Sequence, residues 1–292
     1  MAHDKKLVIG AINITMHPHS ADKYEDLFRK AFRLQRPVQV HGHQYCLITS
    51  FGKLDSNQKK NGPYTGDIYK FTDIDRNAEW FNTKTNEPAS EKEIENLVIP
   101  DNLKPNSARF TYIFYPMNHT LFYEGYYSGK QLGAKTVVRF FKNLFADQKI
   151  EEKFGKIDVT HIPERDGLTS AMKLPVKTRI EMEINRPNPD DHDDAEREFL
   201  RRMDARGVGT QVQTFKAIKG SSIEPDEEMK TLAKISESNG KVTIKGKNGE
   251  GKIVEFSTSD HPLRITEFYG DTDSPFSILV RVAESLWENI RK

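Results

Sequence analysis

Basic side chains are concentrated in two stretches of this chain. One set lies in or just before an expected helix and the other in an expected hairpin, and together they comprise Lys130, Lys135, Arg139, Lys142, Lys241, Lys245, Lys247 and Lys252. Ammonium and guanidinium groups neutralise phosphates, and such contacts give salt-dependent binding with little sequence preference. We therefore expect a polyanion-binding surface if both stretches lie on one face. The alternative is that each set is the solvated side of an amphipathic element.

Acidic side chains and histidines raise the question of a metal site. The candidates are His17 with His19, Glu181 with Glu183 near Lys177, and the cluster Asp190, Asp191, His192, Asp193 and Asp194. A metal-dependent nuclease needs carboxylates that converge on a scissile phosphate, whereas adjacent residues cannot all converge on one centre. The acidic cluster suits the positive end of the helix that follows it, the glutamates suit a solvent-facing strand, and no third ligand accompanies the histidine pair. We assign no metal, no cofactor and no catalytic residue.

The segment GKQLGAKT, residues 129–136, superficially resembles a phosphate-binding loop. It departs from that motif because three residues rather than four separate the glycines, and an alanine stands between Gly133 and Lys135. Nucleotide hydrolysis is therefore not expected. A glycine-containing start to a helix can still bind a phosphate through free backbone N–H groups. The sequence contains no nucleophile-elbow, zinc-protease or paired-cysteine pattern.

The first basic element is expected to follow two strands. Aromatic and β-branched residues dominate residues 110–115 and 121–127, and a Pro-Met-Asn-His turn separates them. After them, apolar side chains and one threonine recur every three or four residues, at Leu132, Thr136, Val137, Phe140, Phe141, Leu144 and Phe145. This spacing predicts an amphipathic helix. Its other face would present Lys135, Arg139 and Lys142, so we expect a basic helix over a buried aromatic sheet.

The second basic element is expected to be a β-hairpin. Two alternating segments flank Asn248 and Gly249 in KVTIKGKNGEGKIVEF, and this pair favours a two-residue type I′ turn. An earlier segment, VKTRIEMEIN, alternates in the same way. We expect it to form a strand that directs Val176, Thr178, Ile180, Met182 and Ile184 to one face and Lys177, Arg179, Glu181 and Glu183 to the other.

Local signals mark the ends of the other helices. Ser20 is placed to cap an early helix, and Ser90 with Glu93 forms a capping-box pattern. Gly207 is placed to end the helix after the acidic cluster, and Pro225 is expected at the first position of a later helix. In the terminal helix the spacing predicts a buried face of Ile278, Val282, Leu286 and Trp287.

Composition favours a globular protein. The 292 residues are 36% hydrophobic and 30% charged, with a formal net charge of +1, so the chain can bury a core. The single cysteine, Cys46, excludes an internal disulfide and is expected to be packed in a strand. No segment has the roughly 20 apolar residues that span a bilayer, and the N-terminus lacks the apolar core of a signal peptide. We therefore expect a cytoplasmic protein.

The order of strands and helices predicts an α+β fold. We expect mixed or antiparallel sheets, packed amphipathic helices and a two-part architecture. The segment PDNLKPNS contains two prolines, and we place the division there, near Pro105. This gives an N-terminal α+β domain of residues 1–104 and a C-terminal α+β domain of residues 105–292 that contains both basic elements.

Several segments together resemble a known family in their pattern and order. They are ASEKEIENL, FTYIFY, HTLFYEGYY with the basic helix behind it, KIDVTHIPERDGLTSAMKL, VKTRIEMEI, VTIKGKNGEGKIVEF and the terminal helix. Through most of the chain this order resembles the A component of the lambdoid Rex phage-exclusion proteins. The opening KLVIGAINITMHPHS also resembles the start of an uncharacterised bacterial family with defence associations. HPHS and the acidic DDHDD have no counterpart in the Rex protein.

The resemblance implies sequence-nonspecific binding to double-stranded DNA in a bacterial anti-phage, abortive-infection system. It also implies a homodimer and a membrane-protein or effector partner from the same system. No catalytic motif defines the family, so the resemblance transfers no catalytic residue to this chain. Two alternatives stay open. One is a scaffold whose basic faces bind an acidic protein, and the other is a metal-dependent nuclease effector that uses Asp190, Asp191 and His192 or Glu181 with Glu183.

Overall fold

The computed structural model describes residues 5–17, 20–75, 78–97, 99–164, 167–186 and 194–287, which form sixteen strands and eight α-helices. The strands are β1 (Lys5–Met16), β2 (Val38–His41), β3 (Gln44–Ile48), β4 (Gly52–Lys53), β5 (Tyr64–Thr72), β6 (Phe81–Asn82), β7 (Glu87–Pro88), β8 (Ala108–Tyr115), β9 (Thr120–Tyr127), β10 (Lys130–Gln131), β11 (Ile157–His161), β12 (Val176–Asn185), β13 (Thr210–Lys216), β14 (Gly240–Lys247), β15 (Ile253–Ser257) and β16 (Arg264–Tyr269). The helices are α1 (Ala21–Arg33), α2 (Glu91–Glu95), α3 (Ala134–Phe145), α4 (Gln148–Phe154), α5 (Gly167–Met172), α6 (Asp194–Ala205), α7 (Glu227–Asn239) and α8 (Pro275–Leu286).

A ten-stranded sheet is organised around β1. Its main path runs β11-β1-β9-β8-β5-β3-β2, and β16, β10 and β4 pair at its margins. Along one side, β1 pairs first with β16 and then with β11, while β9 pairs along the other side. The pairings among the described strands are antiparallel, and the predicted α+β class is confirmed.

Helices cover this sheet on both faces, which explains why β1 is apolar almost throughout. Ile12, Ile14 and Met16 point toward α1, α3 and α4, whereas alternate residues such as Leu7 and Ile9 point toward α8. The first of these cores is rich in aromatic rings. The rings of Phe28 on α1 and Phe114 on β8 stack with centroids 4.6 Å apart. Cys46 is fully buried in this core, as predicted.

A second, four-stranded sheet has the order β13-β12-β14-β15. One face packs against α5, α6 and α7 and forms a separate core from residues 168–256, while the other face has no helix packed on it among the described elements. Strands from both sides of Pro105 pair within the large sheet, because β5 is bonded to β8 and β1 to β9. The second sheet lies wholly within residues 176–257.

The alternation in β12 is interrupted by a bulge. Ile180, Met182 and Ile184 are buried as predicted, but the register with β14 shifts between Lys177 and Arg179. The extra residue reverses the two faces before that point. Lys177, predicted to face solvent, is therefore only 4% exposed, and Thr178 is exposed instead. The Lys177 ammonium group donates to the main-chain oxygen of Leu174 at 3.0 Å.

The turn between β14 and β15 is wider than the predicted two-residue type I′ turn. Five residues separate the strands, and the Asn248 N–H donates to the Lys252 carbonyl oxygen at 3.0 Å. A type I′ turn needs a positive φ at both central residues, but in this turn the positive φ, +76°, belongs to Gly251. The side chain of Asn248 accepts from the backbone N–H groups of Glu250 and Lys252, which stabilises the wider loop.

Most helix-end predictions agree with the structure. The capping box of Ser90 and Glu93 is present, and Gly207 has φ +65° after α6. Ser20 is the N-cap residue of α1 but makes no side-chain capping bond. Pro225 precedes Asp226, the actual N-cap of α7. In α8, Ile278 and Val282 are buried as predicted together with Leu279 and Ala283, whereas Leu286 and Trp287 are only partly buried.

Candidate nucleic-acid interface

Helix α3 presents its cations on the side away from the aromatic core. Phe140, Phe141 and Leu144 are buried, and Lys135, Arg139 and Lys142 are exposed, as the periodicity predicted. Lys130, which was expected just before the helix, lies on the short strand β10, where it pairs with Tyr127.

Two of the three α3 cations already have protein partners. The Lys135 Nζ lies 2.9 Å from the Asp260 Oδ1, and both side chains are largely exposed. The Arg139 guanidinium donates to the carbonyl oxygen of Val40 at 2.6 Å, which ties α3 to β2 and leaves other guanidinium N–H groups for a ligand. Lys142 has no ion-pair partner within the described part of the chain.

The predicted hairpin lysines lie on or beside the uncovered face of the second sheet. Val242, Ile244 and Gly246 are buried, and the alternate residues of β14, including Lys241, Lys245 and Lys247, point the other way. Two of the four lysines form exposed ion pairs. Lys245 lies 3.3 Å from Glu255 and Lys252 lies 2.8 Å from Glu250. Because exposed pairs stabilise a protein by at most about 1 kcal/mol, a phosphate can compete with these carboxylates.

Sheet pairing adds two cations that sequence reasoning did not select. Arg179 of β12 stands between Lys216 of β13 and Lys245 of β14, so the three form a row across the uncovered face. The Arg179 side chain also binds Glu181 and, through this hydrogen bond, lowers the pKa of that carboxyl group. This row exists because β13, β12 and β14 are neighbours in the sheet. The alternating pattern of a single strand does not reveal which strands lie beside it.

Asp260 is the point at which the two basic elements meet. It ends a 3₁₀ turn (Thr258–Asp260) directly after β15. The hydrogen bond from Lys135 lowers the pKa of Asp260, and the positive charge of Lys241 lowers it further. The N–H of Val242 on β14 donates to Thr258 of the same turn at 3.0 Å. Helix α3 and the start of β14 therefore face the same carboxylate. Lys247 lies six residues further along β14, roughly 20 Å away at the usual rise per strand residue.

His161 lies beside the cations of α3, on the edge strand β11. Its Nδ1 is buried and has no hydrogen-bond partner among the described residues. Burial lowers the pKa of His161 to about 4, and the charges of Lys142 and Lys135 contribute to this shift. The imidazole is therefore neutral at pH 7. Sequence reasoning missed this residue because nothing local distinguishes it.

The candidate metal ligands that the structure describes have other partners. Glu181 is bound to Arg179, and Glu183 stands opposite Lys241 across the β12–β14 pair. The His17 Nε2 lies 4.0 Å from Asp158, while His19 and residues 190–193 lie outside the described residues. Asp194 begins α6 and forms an ion pair with Arg197. Within the described ranges, no three His, Cys, Asp or Glu side chains are grouped as a metal ion requires.

Comparison with protein-family models assigns most of the chain to one domain. A family model for a domain of unknown function matches residues 5–284. No curated protein matches the chain. None of the helices in the described ranges is long and apolar enough to cross a membrane. The match includes both sheets, so α3 and the uncovered face belong to the domain that defines the family.

Proposed function

The chain belongs to the family of this domain of unknown function, DUF4747, and from its surface we propose that it binds double-stranded DNA without strong sequence preference. The observation that supports this most directly is the shared environment of Asp260. Lys135 of α3 pairs with this carboxylate, and Lys241 precedes Val242, whose N–H donates to Thr258 of the same 3₁₀ turn at 3.0 Å. A surface formed by both elements presents more cations to a polyanion than either does alone.

The dimensions of the surface suit a duplex. Lys241 and Lys247 are separated by roughly 20 Å of strand, which corresponds to about six phosphates of one DNA strand at about 3.4 Å each. The predicted contacts are Lys130, Lys135, Arg139 and Lys142 on the α3 side and Lys241, Lys245, Lys247 and Lys252 on the hairpin side. Arg179 and Lys216 join them on the uncovered sheet face.

We assign the biological setting from the resemblance to the Rex phage-exclusion proteins. It supports a cytoplasmic role in bacterial anti-phage defence, a homodimer, and a membrane-protein or effector partner from the same system. The residues of this chain support only the basic surface. Nuclease activity and binding of an acidic protein are therefore outcomes that the binding experiment must distinguish.

The decisive experiment compares one lysine from each basic element. K142A and K241A each remove one cation, and the double variant removes both. K84A/K92A is the matched control, because it removes two exposed lysines from the α2 region. Binding to two unrelated duplexes is measured by gel shift across a salt series, with and without magnesium. If both residues contact phosphate, each single variant lowers the slope of log affinity against log salt by about 0.9, and the double variant by about twice that.

The other outcomes assign different functions. An unchanged slope in K142A or in K241A would remove that element from the interface. A complete lack of shift would favour an acidic protein partner, which should then remain bound after nuclease treatment. Cleavage of the DNA with magnesium, abolished by a chelator, would favour the nuclease.

A further inference from the structure

A cleft of about 380 Å³ lies where the start of α3 approaches β1, β9 and β16. Its volume falls within the range of about 300–1,000 Å³ typical of small-molecule sites. The cleft is lined in part by the stretch from Gln131 to Thr136, which belongs to the segment GKQLGAKT. That segment forms the short strand β10 and then the first turn of α3, so it is not a continuous loop.

The start of α3 supplies backbone donors to this cleft. Gly133 is the N-cap residue and has no side chain with which to cap the helix. Thr136 and Val137 are the first residues of the helix whose N–H groups donate back to the Gly133 carbonyl oxygen. The N–H groups of Ala134 and Lys135 therefore have no partner within the helix. The first turn contains no acidic residue. The positive end of the helix dipole is therefore available to an anion.

Tyr123 gives an independent indication that a ligand binds here. Its side chain is only 2% exposed and lines the cleft, yet among the described residues its hydroxyl has no hydrogen-bond partner. The hydroxyl lies over Gly10, where an added Cβ would be 2.4 Å from the oxygen. Glycine at position 10 thus makes room for a hydroxyl that is open to the cleft and makes no hydrogen bond within the described residues. A ligand oxygen in the cleft can therefore accept from it.

The charge around the cleft is positive. Lys6, Lys135 and Arg264 line it, against the single carboxylate of Asp260. Arg264 stands directly opposite Gly10 in the β1–β16 pair, and its charge acts on the Tyr123 hydroxyl. A guanidinium, a phenol hydroxyl and two backbone N–H groups therefore surround the same space.

We propose that this cleft binds the phosphate group of a small phosphate ester. A guanidinium can bind two oxygens of a phosphate at once, while the backbone N–H groups of α3 and the Tyr123 hydroxyl are placed to donate to others. Val8, Leu132 and Leu263 and the ring of Tyr126 line the rest of the cleft and suit an organic group. The proposal does not rest on DNA binding, because neither Lys142 nor Lys241 lines the cleft.

The test measures binding of four probes by isothermal titration calorimetry: inorganic phosphate, ribose 5-phosphate, adenosine 5′-monophosphate and adenosine. We expect the phosphorylated probes to bind and adenosine not to bind. R264Q should weaken binding about tenfold, which is the loss expected for a charge-assisted hydrogen bond. Y123F should weaken it roughly fivefold because it removes only a hydroxyl.

Two matched controls distinguish the site from general effects. Y112F removes the hydroxyl of a buried tyrosine that does not line the cleft, and R281Q removes an exposed arginine from α8. Both should bind the probes like the unmodified protein. If inorganic phosphate binds with the same affinity as the esters, the ligand of this site is free phosphate.

Three results would overturn the proposal. They are no binding of any phosphorylated probe, binding that R264Q and Y123F leave unchanged, and, in a separate titration with a 5′-phosphorylated duplex, tighter binding of the duplex than of the mononucleotide. The DNA-binding proposal can fail independently of this one, because different variants test the two. K142A/K241A should retain probe binding, and Y123F should retain the DNA shift.

Discussion

His161 shows how the basic surface controls the charge of a neighbouring side chain. Its pKa is lowered to about 4 because burial disfavours the charged ring and because Lys142 and Lys135 repel it. At pH 7 the ring is neutral and adds no cation to the surface. Bound phosphates would reduce the repulsion, so we expect the His161 pKa to rise when DNA binds.

We predict that His161 makes the protein less stable as the pH falls from 6.5 to 4. Over this interval the unfolded imidazole, with a pKa near 6.5, takes up a proton that the folded one excludes until about pH 4. Linkage then reduces the free energy of unfolding by about 3 kcal/mol between pH 7 and pH 4. Urea unfolding of the unmodified protein and of H161Q at several pH values isolates this contribution. Identical pH dependence in the two proteins would contradict the assignment.

At the residue scale, sequence identifies the cations but not their partners. Asp260 is 125 positions from Lys135 along the chain, and Val40 is 99 positions from Arg139. No local pattern reports contacts over such separations. The same limit hid Arg264 and Tyr123, which come together only because β16 and β9 both pair with β1.

The turn between β14 and β15 determines how the basic ribbon is presented, and it offers a controlled test at the element scale. Gly249 and Gly251 are both open to solvent, with no atom near an added Cβ, but only Gly251 has a positive φ. G251A should therefore destabilise the protein by about 1 kcal/mol through backbone strain alone. G249A should be neutral or slightly stabilising.

Chemical denaturation of the two glycine variants measures this difference. A larger loss of unfolding free energy in G249A than in G251A would indicate a type I′ turn, in which the two central residues, Asn248 and Gly249, have positive φ. DNA-binding measurements on both variants would then show whether the geometry of the turn matters for the lysines that flank it.

Elements with a strong internal period were predictable, and irregular ones were not. The stripe of α3 and the alternation of Ile180, Met182 and Ile184 follow from one face meeting a core, and both are confirmed. The bulge at Lys177 arises from pairing with β14, and the wide turn arises from how Asn248 bonds across the loop. These features depend on a partner strand, so the pattern within one segment does not contain them.

The strand pairing favours a division of the whole molecule at the second sheet rather than near Pro105. In the large sheet, β1 pairs with β9, β11 and β16, which come from distant parts of the chain. The second sheet and the helices over it form a core of their own. This organisation follows from long-range pairing, whereas the prolines near residue 105 indicate only that no regular element crosses that point.

A comparison of two fragments tests this division. Residues 1–104 contain β1 without its partners β9, β11 and β16, and β5 without its partner β8. They also lack α3 and α8, so this fragment should remain unfolded. Residues 167–260 contain every buried residue of the core between the second sheet and helices α5, α6 and α7. At this length a single core can sustain a fold. We expect dispersed NMR resonances and cooperative unfolding only from the second fragment. If residues 1–104 unfold cooperatively on their own, the boundary near Pro105 is correct, and the large sheet would then assemble from two units that fold independently.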